Sequence, residues 1–145
     1  MKCQTVIDPQ CEEMVLIRAR ERTDLVEEFE RLATGVPKEL IGYEGKSIVK
    51  LDPAEIACFT VEENKVCALV NEKKLWVKER LYVLEEMLSE NFVKINQSCI
   101  ANIRQIERFE ASFAGALLVV FRNGHRDYVS RRQLKNVKER IGFRL

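Results

Sequence analysis

The feature that most constrains the fold is a series of short apolar segments separated by turn signals. Five such segments lie between residues 40 and 77, most of them about 8–12 residues apart. Turn-forming residues separate them at Glu44-Gly45, Asp52-Pro53 and Glu63-Asn64-Lys65. Because this spacing is typical of the strands of a β-sandwich or an open barrel, we predict a mainly β domain over residues 40–145.

The C-terminal part of the chain adds further strands and two short helices. Strand-like segments follow at Ile106–Phe113, Leu117–Phe121 and Arg126–Val129, and Asn123-Gly124 is a strong hairpin signal between the last two. Apolar residues at helical spacing predict one helix over residues 81–88 and another that begins at Ser130 and ends at Gly142. The predicted fold class is mainly β, of the α+β type.

Residues 1–39 have a different pattern. Lys2–Ile7 and Glu13–Arg20 predict two strands, and Thr23 or Asp24 then begins a helix. A β-β-α unit of this size is too small to fold alone. We therefore predict an N-terminal extension that packs on the main domain or on a partner.

A polar break within the stretch Phe92–Asn102 indicates a binding loop. Lys94 lies in a short predicted strand, which stops at Asn96, Gln97 and Ser98 before apolar residues resume. Amide and hydroxyl side chains at a strand end suit hydrogen bonds to base edges and phosphates. These four side chains are therefore candidates for contact with a nucleic acid.

The charge of the chain changes sign at this stretch. Residues 1–93 hold 13 Lys and Arg against 19 Asp and Glu, a net charge of −6, whereas residues 94–145 hold 11 against 4, a net charge of +7. The asymmetry indicates a polyanionic partner for the basic end, which includes Arg104, Arg131 and Arg132. The last two open the final predicted helix, where a positive charge is unfavourable by about 0.3–1 kcal/mol. A phosphate bound there would explain both arginines.

Composition and motifs argue against other classes of function. One histidine, no glycine-rich phosphate loop and no serine nucleophile motif leave little basis for an enzyme, a metal site or a cofactor. The five cysteines include no Cys-x-x-Cys pair, so we expect reduced thiols in a cytoplasmic protein. Apolar runs long enough for a membrane span are also missing from the sequence.

Three segments in this order resemble the LytTR-type DNA-binding domains of bacterial transcription regulators. They are the helix pattern Leu81–Leu88, the stretch Phe92–Asn102 with its polar loop, and Tyr128–Arg132 after the hairpin. The resemblance covers about two-thirds of the chain, over residues 42–143. It implies a multi-stranded β fold with short helices, in which loops rather than a recognition helix enter successive major grooves of double-stranded DNA at direct repeats.

Carried over residue by residue, the resemblance implies DNA contacts at Lys94, Asn96, Gln97 and Ser98 in the loop, at Arg131 and Arg132 before the last helix, and at the turn Asn64-Lys65. The family often has His-Arg or His-Asn where this chain has Asn96-Gln97. The loop therefore offers no arginine to guanine, but its amides can recognise adenine. The first 39 residues are too few for a receiver domain, so the chain resembles the stand-alone members.

Two other functions stay open. One is a protein-interaction module that uses the acidic N-terminal unit, and the other is an RNA-binding protein that uses the same basic end. Stand-alone members of the family are often controlled by partner proteins, some of them in the membrane. The expected partners are therefore double-stranded DNA, a second copy of the chain in a homodimer, and a regulatory protein.

Overall fold

Strands dominate the second of the two units into which the chain divides, Met1–Lys38 and Glu39–Leu145. A computed structural model describes residues 2–34, 39–112 and 115–142. Within these ranges ten strands form two antiparallel sheets. The prediction of a mainly β fold is confirmed.

The larger sheet contains seven strands: β1 (Ile41–Glu44), β2 (Ser47–Lys50), β3 (Ile56–Glu62), β4 (Lys65–Val70), β5 (Lys73–Val77), β6 (Phe92–Asn96) and β7 (Cys99–Asn102). Their order across the sheet is β2-β1-β5-β4-β3-β7-β6. Two-residue turns join β1 to β2, β3 to β4, β4 to β5 and β6 to β7. The turn between β3 and β4 has positive φ angles of 51° at Glu63 and 62° at Asn64, which match the right-handed twist of a tight hairpin.

The smaller sheet contains β8 (Ile106–Ala111), β9 (Leu117–Phe121) and β10 (Arg126–Val129), in the order β10-β9-β8. Helix α1 (Asp24–Thr34) lies in the first unit, α2 (Leu81–Met87) precedes β6, and α3 (Arg131–Ile141) follows β10. Two short 3₁₀ helices, Pro53–Glu55 and Ile103–Gln105, precede β3 and β8.

The larger sheet is covered on both faces, because alternate residues of its strands belong to two separate apolar clusters. Cys67 and Leu69 of β4 pack in one cluster, which also contains residues of β9 and Val137 of α3. Val66 and Ala68 pack in the other cluster, which contains residues of α2. Successive side chains of a strand point to opposite faces. Burial on both faces explains why these strands are continuous apolar runs.

The two ends of the larger sheet carry different connections. At one end lie the β3–β4 turn, the β6–β7 turn and, because Val77 pairs with Val66, the end of β5. We call this the loop end. At the opposite end, the far end, lie the start of β3, the end of β7 and the β4–β5 turn. The candidate contacts can therefore be sorted by the end at which they lie.

The strands predicted for Lys2–Ile7 and Glu13–Arg20 are wrong, because none of the described residues 2–23 forms a strand. Their apolar side chains are exposed except that of Ile17, which is half-buried, and Val6 and Ile7 are 75% and 85% exposed. A pair of strands is at best marginally stable in water. The apolar residues of these two segments were therefore not enough to form strands.

The helix predicted after these segments is present as α1. The Oγ1 atom of Thr23 accepts a hydrogen bond from the N–H of Val26 at 3.3 Å, so Thr23 caps the helix. Strand β8 ends at Ala111, and Phe113, where we predicted its end, lies outside the described residues. Of the helices that the structure describes, none has the length and apolar character of a membrane-spanning segment.

Substitution of Gly42 in β1 tests how closely the larger sheet is packed. A Cβ atom at this position would lie 3.0 Å from Cβ of Leu75 and 3.1 Å from Cδ2 of Leu51. Overpacking a core site costs typically about 1–3 kcal/mol, so we expect Gly42→Ala to lower the free energy of unfolding by that amount in urea denaturation. The control Ser47→Ala, at an exposed strand position, should change it by less than about 0.5 kcal/mol. Equal values for the two variants would contradict this packing.

Candidate nucleic-acid interface

The β3–β4 and β6–β7 turns are neighbours at the loop end. Strands β3 and β7 pair with Thr60 opposite Cys99, and the N–H of Val61 donates to the carbonyl oxygen of Ser98 at 3.0 Å. The main chain of the β6–β7 turn is therefore bonded to β3 at Val61, which lies three residues before Asn64 in the β3–β4 turn.

A β-bulge in β6 directs Asn96 into the protein. Lys94 pairs with Ile100 and Asn96 pairs with Cys99, so two residues of β6 match one residue of β7. A bulge of this kind bends the strand and redirects a side chain. Ile95 is buried in the cluster shared with the smaller sheet, and the Asn96 side chain bonds to the same sheet. Asn96 is therefore only 5% exposed, although its side chain is polar.

The amide of Asn96 joins the β6–β7 turn to β10. Its Nδ2 atom donates to Oδ1 of Asp127 and to the carbonyl oxygen of Tyr128, both at 2.9 Å. Its Oδ1 atom accepts from the N–H of Ser98 at 2.8 Å. One main-chain bond adds to this link, because the N–H of Ser130 donates to the carbonyl oxygen of Ile95 at 2.8 Å. The start of α3 is thereby held next to the turn.

Most of the candidate contacts predicted from the sequence therefore lie at the loop end. Six of them are exposed: Asn64, Lys65, Gln97, Ser98, Arg131 and Arg132. Lys94 is half-buried beside them. Asn96 is also at the loop end, but its side-chain atoms are used inside the protein, so it positions the turn instead of facing a ligand.

Arg104 is not brought together with the other candidates. It lies in the 3₁₀ helix after β7, and its N–H donates to Oδ1 of Asn102 at 3.1 Å. The amide of Asn102 in turn donates to the carbonyl oxygen of Ile56 at 2.8 Å, at the start of β3. Because β3 is seven residues long, the far end is about 20 Å from the loop end.

A groove at the loop end contains two cationic side chains that the sequence analysis missed. It has a volume of about 960 Å³ and is lined in part by Asn64, Lys65, Lys94 and Gln97. Lys78 and Arg80, from the segment between β5 and α2, line the same groove. Neither residue stands out in the sequence, because Glu79 lies between them and the net charge of residues 1–93 is negative. Only the pairing of β5 with β4 places them near the turns.

Polar groups also cluster inside the protein, on the face of the larger sheet that packs against the smaller sheet. A hydrogen bond with Cys99 lowers the pKa of Cys58 to about 7, although burial acts in the opposite direction. The same bond, together with burial, raises the pKa of Cys99. The neighbouring Cys58 thiol raises the pKa of His125, whose buried Nε2 atom has no hydrogen-bond partner in the described part of the protein. His125 is half-buried, with its ring 5.7 Å from that of Phe121. Cys58 and Cys99 are buried in the interior, and His125 lies half-buried beside them.

Comparison with known families identifies the second unit. Residues 46–142 match the model of the LytTr DNA-binding domain. The chain belongs to the LytTR DNA-binding domain family. The resemblance drawn from the three sequence segments is confirmed, and this is a family of DNA-binding domains, not of enzymes.

Full-length relatives support the assignment. Proteins from Staphylococcus aureus strains NCTC 8325 / PS 47 and MRSA252 are each 31% identical to this chain over 136 residues, and the match covers 92% of this chain and 92% of each relative. Both relatives are named as uncharacterized HTH-type transcriptional regulators. In this LytTR protein, strands β1–β5 separate α1 from α2 and strands β6–β10 separate α2 from α3. Among the described residues, therefore, no helix directly follows another as in a helix-turn-helix.

A solved structure supports the fold. The LytTr DNA-binding domain of a Bacillus cereus protein matches this chain with a TM-score of 0.68 and 18% sequence identity, over 73% of this chain and 99% of that domain. The strands of the second unit thus form a LytTR fold.

The two neighbouring amides of the LytTR loop should respond differently to truncation. Asn96→Ala removes one hydrogen-bond partner each from Asp127, the Tyr128 carbonyl and the Ser98 N–H, and such a loss costs about 1–3 kcal/mol. Gln97→Ala removes an exposed side chain and should change the free energy of unfolding by less than about 0.5 kcal/mol. Urea denaturation of both variants measures the difference. A Gln97→Ala variant as unstable as Asn96→Ala would contradict the assignment of Asn96 to positioning.

Proposed function

We propose that this protein is a sequence-specific transcription regulator that binds double-stranded DNA through the loop end of its LytTR domain. The observation that carries the proposal is the pair of hydrogen-bonded links that set exposed Gln97 and Ser98 beside the start of α3. Names of the Staphylococcus aureus relatives agree with a role in transcription. In this proposal the protein acts in the cytoplasm, where the DNA is.

The loop-end residues divide into two kinds of contact. Gln97 and Arg132 contact base edges in the major groove, where an amide suits adenine and a guanidinium suits guanine. Lys65, Lys94 and Arg131 neutralise phosphates and supply affinity that does not depend on sequence. Asn64 and Ser98 add hydrogen bonds to the backbone of the DNA. Two neighbouring copies of the chain would occupy a pair of direct repeats.

Substitutions at the loop end test this division on a site selected from random duplex DNA with the wild-type chain. Gln97→Ala and Arg132→Ala should each weaken binding to the selected site by about 1–3 kcal/mol, with a smaller loss on scrambled DNA. Arg104→Ala removes the same charge as Arg132→Ala but at the far end, and it should have little effect. The measurement is a binding titration on both DNAs at one salt concentration.

Three results would contradict the proposal. Equal losses on selected and scrambled DNA would reduce Gln97 and Arg132 to phosphate contacts. A loss for Arg104→Ala as large as that for Arg132→Ala would mean that the far end also binds. Equal affinity for duplex DNA, single strands and RNA would favour the RNA-binding alternative.

We propose a second role for residues 1–39, which is self-association. The supporting observation is a run of exposed apolar side chains in the first unit, with Met14, Val15 and Leu16 at 66–74% exposure. Exposed apolar surface of this kind commonly marks an interface. The occupant we propose is a second copy of the chain, because a direct-repeat site needs two copies.

Sedimentation of the full chain tests the role of residues 1–39. The wild type should sediment as a dimer at micromolar concentration, and Leu16→Glu should sediment as a monomer, because a buried charge opposes association. Leu16→Met keeps the apolar side chain and is the control. A wild-type monomer at every concentration would reject self-association and leave a regulatory partner protein, soluble or membrane-bound, as the occupant of this surface.

A further inference from the structure

The groove at the loop end extends the proposed interface along β5. Besides the candidates from the two turns, its wall includes Tyr43, Trp76, Lys78 and Arg80. These come from β1, from β5 and from the segment before α2. The groove is therefore continuous with the turns but reaches residues to which neither the sequence nor the family resemblance gives a role.

The charge of the groove is strongly unbalanced. Its lining holds four cationic side chains, Lys65, Lys78, Arg80 and Lys94, against the single carboxylate of Glu79. In the described part of the chain no salt bridge joins any of the four to a carboxylate. A concave surface lined by one sign of charge focuses its field and attracts the opposite charge. The groove therefore suits an extended polyanion.

Aromatic rings hold two of these cations in place. The Nζ atom of Lys78 lies 4.7 Å from the ring centroid of Tyr43, and that of Lys65 lies 5.8 Å from the ring centroid of Trp76. Cation–π contacts of this kind contribute about 0.5–1 kcal/mol at exposed sites. Because the rings restrict two long side chains without neutralising them, less side-chain freedom is lost when an anion binds.

We propose that this groove holds the sugar-phosphate backbone of a DNA strand that flanks the bases contacted by Gln97, with Lys78 and Arg80 as additional phosphate contacts. The inference rests on the proposed function, because Gln97 and Lys94 belong to both surfaces. It adds a contact from the β5–α2 segment to the contacts from the turns. Phosphate contacts fix the register of a protein on the duplex, so the groove sets how the Gln97 turn meets the base edges.

Salt dependence is the first test. Binding of the full chain to its selected duplex is titrated at several salt concentrations, and Lys78→Ala and Arg80→Ala should each reduce the slope of log K against log salt by about 1. Both variants should lose the same factor of affinity on selected and scrambled DNA, since phosphate contacts carry no sequence information. Lys46→Ala, in the β1–β2 turn at the far end, is the control and should keep the wild-type slope.

The fluorescence of Trp76 is the second test. Trp76 is the single tryptophan of the chain and is 37% exposed in the groove. Acrylamide should therefore quench its emission less in the complex than in the free protein. Sequence-selective binding with unchanged salt slopes for Lys78→Ala and Arg80→Ala would overturn the groove proposal even if quenching falls, and the proposed function would stand. Absence of any preference for duplex DNA would instead reject the proposed function itself.

Discussion

The relative position of the β6–β7 turn and the start of α3 depends on the buried amide of Asn96. A primary amide has two donor hydrogens and one acceptor oxygen, and here all three groups are used within the second unit. Burying an amide without partners is costly, whereas a fully satisfied amide fixes one arrangement of its neighbours. The bulge in β6 makes this possible, because it turns Asn96 toward the smaller sheet. A local irregularity of one strand thus sets the position of the β6–β7 turn relative to the start of α3.

A second buried asparagine has the same function at the far end. Asn102 is 2% exposed, and its Nδ2 atom donates to the carbonyl oxygens of Pro53 and Ile56 at 3.2 and 2.8 Å while its Oδ1 atom accepts from the N–H of Arg104 at 3.1 Å. Side-chain amides therefore tie the stretch Phe92–Asn102 to its surroundings at two places, directly before its turn and at its last residue. Within it, Gln97 and Ser98 are exposed, and the rest of the stretch fixes their position.

The strands and tight turns of the second unit could be predicted because short apolar segments and turn residues alternate along the chain. The role of Asn96 could not be predicted, because a bulge depends on how two strands pair and no residue pattern in the sequence indicates it. Arg104 was counted with Arg131 and Arg132 in the basic end of the chain, although β7 carries the chain to the far end just before Arg104. Lys78 and Arg80 were missed because they are distant in sequence from the β6–β7 turn. Only the pairing of strands in the larger sheet brings them close to it in space. The strands predicted near the N-terminus did not form, because two strands alone are at best marginally stable in water.

Gln97 carries no charge, so in its proposed role it discriminates between bases by the direction of its hydrogen bonds. Such discrimination requires a defined backbone. In a helix-turn-helix the main-chain hydrogen bonds of the recognition helix keep its backbone in a defined conformation. In this chain the surroundings of the turn supply it, because the N–H of Ser98 bonds to Asn96 and its carbonyl oxygen bonds to Val61. In the proposed role, binding therefore has to order little more than the Gln97 side chain. The two-residue turn presents that side chain from a fixed main chain, as a recognition helix does for its own side chains.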